Sequence, residues 1–88
     1  MKSNVIRIHP SDNVAVASRE IREREQLFGI SDKTIFAKQD IPTGHKVALE
    51  EISEGHRVVK YGESIGAAER EIHSGEHVHT HNLKIEEV

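Results

Sequence analysis

The sequence predicts a small all-β domain made of short strands and glycine corners. The only aromatics in 88 residues are Phe28, Phe36 and Tyr61, so the core must come from Val, Ile, Ala and Leu. The β-branched members of that set suit pleated strands. A second observation is a repeat: residues 40–47, 51–58 and 71–78 all read acid-Ile-x-x-Gly-x-x-Val. A third is that brief β-prone runs lie between and before these segments, at the intervals expected of a compact barrel or folded-over β domain.

Along the chain, Val5-Ile6-Arg7-Ile8 and Val14-Ala15-Val16-Ala17 read as strands flanking a turn at Pro10-Ser11-Asp12-Asn13. Residues 18–26 are rich in helix formers, but only Ile21, Leu27 and Phe28 offer an apolar face, and an exposed loop or hairpin is expected there. The repeated segments follow. Their spacings are too irregular for a solenoid, so the unit is a recurring turn. Gly44, Gly55 and Gly75 are expected at corners with positive φ. Ile41, Ile52 and Ile72 should be buried, together with Val47, Val58 and Val78. Val47-Ala48-Leu49, Val58-Val59-Lys60-Tyr61 and residues 78–83 read as strands, and residues 61–66 as a hairpin or bulge.

The chain has the length of one domain (1–88), with a strand-rich core over about residues 4–83 and a charged tail at 84–88. With 35 % apolar residues, its core must be thin. The absence of Cys rules out disulfides and thiolate metal sites and suits a reducing, cytoplasmic setting. No secretory h-region or membrane-length apolar run is present. A net charge of −3 with no basic stripe makes nucleic acid a poor partner.

Seven histidines are a high load, and His77, His79 and His81 alternate. On one strand all three would share a face. Two or three neutral imidazoles suit a divalent metal. Same-face neighbours lie roughly 6.5–7 Å apart along a strand, so two of these plus an outside group make the better ligand set. The competing reading is the solvated face of an edge strand. His45 and His56 occupy equivalent corner positions and read first as exposed turn residues; His73 lies in the variable part of its corner. His9, Asp12 and Asn13 form a second polar group, with backbone capping as the simpler reading.

Residues 8–17, Gly44-His45-Lys46-Val47-Ala48-Leu49, Val59-Lys60-Tyr61-Gly62 with Ile65-Gly66, and residues 75–82 together resemble the SAF-type N-terminal domain of altronate and galactarate dehydratases. The resemblance implies a β-clip fold. It also implies a part in dehydrating a sugar acid to a 2-keto-3-deoxy acid, with Fe²⁺ or Mn²⁺ and with a large catalytic subunit or domain. On this reading the candidate catalytic residues are His9, Asp12, Asn13 and His79. The candidate metal ligands are His77, His79 and His81, in a site that a partner completes. The chain also resembles the small subunit of sulfolactate sulfo-lyase, although residues 12–17 are nearer the altronate group. A non-catalytic module binding a carbohydrate acid or metal stays open, as does a homo-oligomer. The tail at 84–88 reads as an end, which favours a separate subunit over an excised domain. Alone, the chain is expected to be inactive, because a thin core leaves little room to enclose a six-carbon polyol.

Overall fold

The computed structural model describes residues 2–30 and 33–85, and no helix occurs among them. One antiparallel sheet has the order β1 (Val5–Ile6), β2 (Val14–Ala17), β3 (Lys46–Ala48), β6 (His77–Val78). The other has β4 (Arg57–Lys60), β5 (Glu63–Ala68), β7 (Leu83–Lys84). The expected all-β class is what forms. These strands are too short to hold by ladder bonds alone, and the corners between them supply the rest.

The repeated corner occurs four times, once more than the glycines reveal. Ala17, Ala37, Ala48 and Ala68 each stand four residues before Ile21, Ile41, Ile52 and Ile72, and an acid precedes every Ile. Three residues after each Ile the backbone takes positive φ: 75° at Arg24, 83° at Gly44, 83° at Gly55 and 88° at Gly75. The corners engage reciprocally. Ile21 and Ile41 exchange backbone hydrogen bonds of 2.9 and 2.7 Å, and Ile52 and Ile72 exchange two of 2.8 Å. Arg24 N–H donates to Ala37, Gly44 to Ala17, Gly55 to Ala68 and Gly75 to Ala48. Each alanine N–H then donates to the next carbonyl of the same corner, at Glu25, His45, His56 and Glu76. Within a pair, the alanine leading into one corner thus receives the turn of the other. All four alanines are 3 % exposed or less.

The exposed loop expected at 18–26 is therefore a packed corner: Ile21 and Leu27 are 0 % and 2 % exposed, and Gln26 bridges Phe36. Arg24 bears the left-handed backbone that glycine takes elsewhere. The anticipated glycine conformations hold, and Ile41, Ile52, Ile72, Val47, Val58 and Val78 are all buried. The 61–66 segment supplies both features expected of it, a turn between β4 and β5 and a register shift at Val58/Val59. Two strand expectations shorten. β1 stops at Ile6, leaving Ile8 60 % exposed, and the 78–83 run breaks into β6, a turn and β7 in the other sheet. Of the tail, Lys84 ends β7, Ile85 is exposed and residues 86–88 lie outside the described residues.

Each corner pair has its own core. Ile21 and Ile41 pack with Val5, Ala15, Leu27, Ile35, Val47 and Leu49. Ile52 and Ile72 pack with Val14, Ala48, Val58, Ala68 and Val78. Side chains alternate along a strand, so Val14 and Ala15, like Val47 and Ala48, point into different cores. β2 and β3 form the wall between them. Each fully buried Val, Leu or Ile contributes about 1.5–3 kcal/mol, and the many short contributions on both sides of that wall replace one thick core.

Asparagine side chains finish the strand ends. Asn4 joins Gln26 O and Phe28 N–H, Asn13 joins Arg57 O and Val59 N–H, and Asn82 joins His77 O and His79 N–H. A carboxamide offers one donor and one acceptor on the same edge, matching the C=O of residue i and the N–H of i+2 on an extended segment.

Candidate functional site

β3 and β6 bring the histidines together. Their register sets Lys46 opposite Val78 and Val47 opposite His77. His45, at the last position of its corner just before β3, thereby faces His79, just past the end of β6. His45 Nδ1 and His77 Nε2 lie 2.9 Å apart, joined by a hydrogen bond whose donor is set by the ring tautomers. The ring of His79 stacks on His45 at 4.2 Å between centroids and lies 5.6 Å from that of His77, nearly parallel. The ligand nitrogens of His45, His77 and His79 all fall within 4.8 Å of one another, and the three residues are half-buried.

His81 borders this cluster, but its nitrogens are not among the three that lie within 4.8 Å of one another. The alternation that would align it with His77 and His79 needs a continuous strand, but the chain leaves β6 after Val78 and turns at residues 80–82. Asn82, fully buried, closes the turn: its Oδ1 accepts His79 N–H at 2.9 Å and its Nδ2 donates to His77 O at 2.8 Å. His81 is exposed on that turn, its ring tilted and 5.2 Å from His77. The backbone of His77 is also held by Gln39, whose Oε1 accepts its N–H at 2.8 Å.

Burial, then repulsion from His45, His81, His79 and Lys46, pushes the pKa of His77 down to about 4. Burial and the same neighbouring cations lower that of His79. Both rings are neutral at pH 7, the state in which imidazole accepts a proton or ligates a metal. Lys46 is partly buried beside Lys60, and that burial and proximity lower its pKa. The fixed positive charge beside these neutral rings comes from Lys46 and Lys60.

His9, Asp12 and Asn13 form a separate constellation, and the structure employs its two smaller members as tethers. Asp12 Oδ2 accepts His9 N–H at 3.0 Å and Oδ1 accepts Gly62 N–H at 2.7 Å. Burial opposes ionisation of Asp12, but backbone donors from Gly62, His9 and Tyr61 outweigh it and hold the carboxyl below its ordinary value. Asn13 is spent on Arg57 and Val59. Together they pin the 9–13 turn to the β4–β5 hairpin, with the His9 ring against Gly62. His9 Nδ1 accepts from Ser11 N–H and Oγ, which leaves Nε2 as the protonated nitrogen.

The other histidines play smaller parts. His56, equivalent to His45, is exposed. His73 pairs with Glu51 at 2.7 Å on the surface of its corner. Two shallow hollows of about 480 and 430 Å³ have no histidine in their linings, one lined by Arg24, Phe36 and Lys38, the other by Gly55, Ala67 and Lys84. No helix is long and apolar enough to cross a membrane among the described residues.

Residues 3–86 match the family model for the altronate/galactarate dehydratase SAF domain. The chain belongs to this family. Altronate dehydratase of Bacillus subtilis (strain 168) is 49 % identical to this SAF domain over 86 residues, covering 96 % of the chain and 16 % of the relative. Altronate dehydratase of Escherichia coli (strain K12) is 43 % identical over 79 residues, with coverages of 90 % and 16 %. The SAF domain thus spans about one-sixth of the length of these relatives. (2R)-Sulfolactate sulfo-lyase subunit alpha of Paracoccus pantotrophus is 52 % identical over 54 residues, 61 % of this chain and 81 % of that subunit.

Proposed function

We propose that this SAF domain is the small component of a cytoplasmic sugar-acid dehydratase, acting with a large catalytic subunit or domain on an aldonate of the altronate type. The observation that carries the reading is the 49 % identity to an altronate dehydratase across nearly the whole chain. The site chemistry supports it. Loss of water next to a carboxylate needs a base for the α-proton, positive charge for the developing enediolate and an acid for the departing hydroxide. A divalent ion, Fe²⁺ or Mn²⁺, would supply positive charge when bound, and the nitrogen-rich set of His45, His77 and His79 fits such an ion. Lys46 attracts the substrate carboxylate. His9 is the candidate proton carrier, with Asp12 and Asn13 fixing the turn that presents it.

Turnover of altronate, galactarate and sulfolactate, with metal supplied and with or without the large chain, tests the proposal. Altronate should be consumed only when both chains are present. Robust activity of the 88-residue chain alone would overturn it, as would a complex indifferent to replacement of His9, His77 and His79 together. A second reading has its own support: the sulfo-lyase relative is a separate subunit that this chain covers for 81 % of its length. Sulfite release from sulfolactate, with altronate untouched, would establish that alternative.

A further inference from the structure

We infer that His45, His77 and His79 form a complete three-imidazole site that holds one divalent transition metal on this chain alone, with His81 outside the ligand set. The inference deepens the dehydratase reading and rests on it for the ion's use, but its geometry belongs to this chain. Two nitrogens on one ion at about 2.0–2.1 Å are roughly 3.0–3.4 Å apart in octahedral or tetrahedral arrangements. His45 Nδ1 and His77 Nε2 are already 2.9 Å apart, the spacing of two such ligands once the hydrogen between them moves to the far nitrogen of its own ring. The His79 nitrogen lies within 4.8 Å of both, a distance that side-chain rotation closes.

The backbone under all three ligands is fixed. His45 O accepts Ala17 N–H at 2.8 Å, and its own N–H donates to Pro42 O at 3.0 Å. His77 is anchored by Gln39 and by its place in β6, and His79 by Asn82. Only side-chain freedom is lost on binding, and such preorganisation favours affinity. The equivalent corner shows that chain geometry alone does not make this cluster: His56 follows the same turn, yet β4 pairs with β5, where Gly66 stands opposite Val58 in the place that His77 takes opposite Val47. The ligands are neutral nitrogen donors, which suit Zn²⁺, Fe²⁺, Co²⁺ or Ni²⁺ better than Mg²⁺ or Ca²⁺. Half-burial leaves the outer side open for water or a substrate oxygen.

The test is calorimetric titration of the full 88-residue chain with Zn²⁺ at pH 7, together with imidazole ¹⁵N chemical shifts that report which nitrogens ligate. One ion per chain is expected, with the shifts moving at His45, His77 and His79. His45→Ala should weaken binding by about 100-fold or more, because a direct ligand matters at least as much as its supports. His81→Ala should stay within about 3-fold, on the order of a surface substitution. Should His45→Ala unfold the chain, the wild-type shifts alone decide the ligand set. Absence of binding, a His45→Ala chain that binds as wild type, or shifts at His81 in place of His45 would overturn the inference. A chain that binds Zn²⁺ but supports no dehydration with the large chain upholds the site and sinks the dehydratase reading. A dehydratase complex whose small chain takes no metal does the reverse.

Discussion

At the Ile41 corner, His45 is drawn into a cluster of rings; at the Ile52 corner, the same position is taken by His56, which lies in solvent. The two corner pairs differ in a second matched place. In the first, Arg22 stands 3.8 Å from Asp40, and Glu23 N–H donates to Asp40 Oδ1 at 2.8 Å. In the second, His73 stands 2.7 Å from Glu51, and Ser74 N–H donates to Glu51 Oε2 at 2.6 Å. A permanent cation in one pair corresponds to a titratable one in the other. The corner therefore fixes the backbone and leaves its side chains free to diverge. Which strand runs alongside decides whether a corner side chain stays on the surface or joins a site.

The comparison breaks most visibly at the glycines. Gly75→Ala combines a φ of +88° with a Cβ that collides with the Phe36 carbonyl oxygen, so a loss of about 3 kcal/mol or more is expected. Gly44→Ala and Gly55→Ala meet nothing within 4 Å and bear only the left-handed backbone, about 1–2 kcal/mol each. Urea unfolding that finds all three equally costly would contradict this ranking. Asn82→Ala comes next: stranding His77 O and His79 N–H should cost about 2 kcal/mol in the same measurement. An unchanged urea midpoint would show that water replaces the carboxamide.

A smaller effect runs in the opposite direction. Arg24→Gly relieves the only corner built without glycine and should stabilise by about 1 kcal/mol, less the entropy that glycine adds to the unfolded chain. Destabilisation would mean that the Arg24 side chain contributes more than its backbone costs.

The smallest effect is one of pH. The hydrogen bond that His73 donates to Glu51, reinforced by the charges of Glu51, Glu71 and Glu76, raises the pKa of His73 above its ordinary 6.5. Its stabilisation is full below 6.5 and is lost as pH rises through the raised value. Glu51 is lowered from its ordinary 4.5 by Ser74 N–H, then by His73, with Lys38 assisting. Its share is present above 4.5 and lost as pH falls through the lowered value. The second pair is thus most secure between about 4.5 and 6.5. His73→Arg, copying Arg22, should remove the alkaline loss from a profile of unfolding midpoints against pH. A variant profile that superimposes on wild type would refute the pairing.

Much of the fold could be read because its main device leaves a mark. Gly44, Gly55 and Gly75 announce turns, and the Ile and Val around them announce burial. The Ile21 corner was hidden because Arg24 has no signature of left-handed backbone, and acids with good helix formers surround it. Its signal was the alanine: Ala-x-x-acid-Ile occurs at 17–21, 37–41, 48–52 and 68–72. At the site, His77 and His79 were legible from local alternation. His45 was not, since its place depends on β3 meeting β6 across a long stretch of chain. Alternation also groups His81 with His77 and His79, because nothing in the run 77–81 shows that a turn closed by Asn82 interrupts the strand.

The reciprocal corners also govern how the chain can reach this structure. A turn at Ile21 is closed by Ala37, and the turn at Ile41 by Ala17, so neither gains its hydrogen bonds to the other corner until the intervening loop has shut. The entropy of that closure is lost before any bond rewards it. Folding should accordingly take on the order of milliseconds to seconds, slow for so small a protein, whereas local helical folds need only microseconds to milliseconds. A peptide carrying one corner without its partner would keep the sequence of the turn and none of its shape.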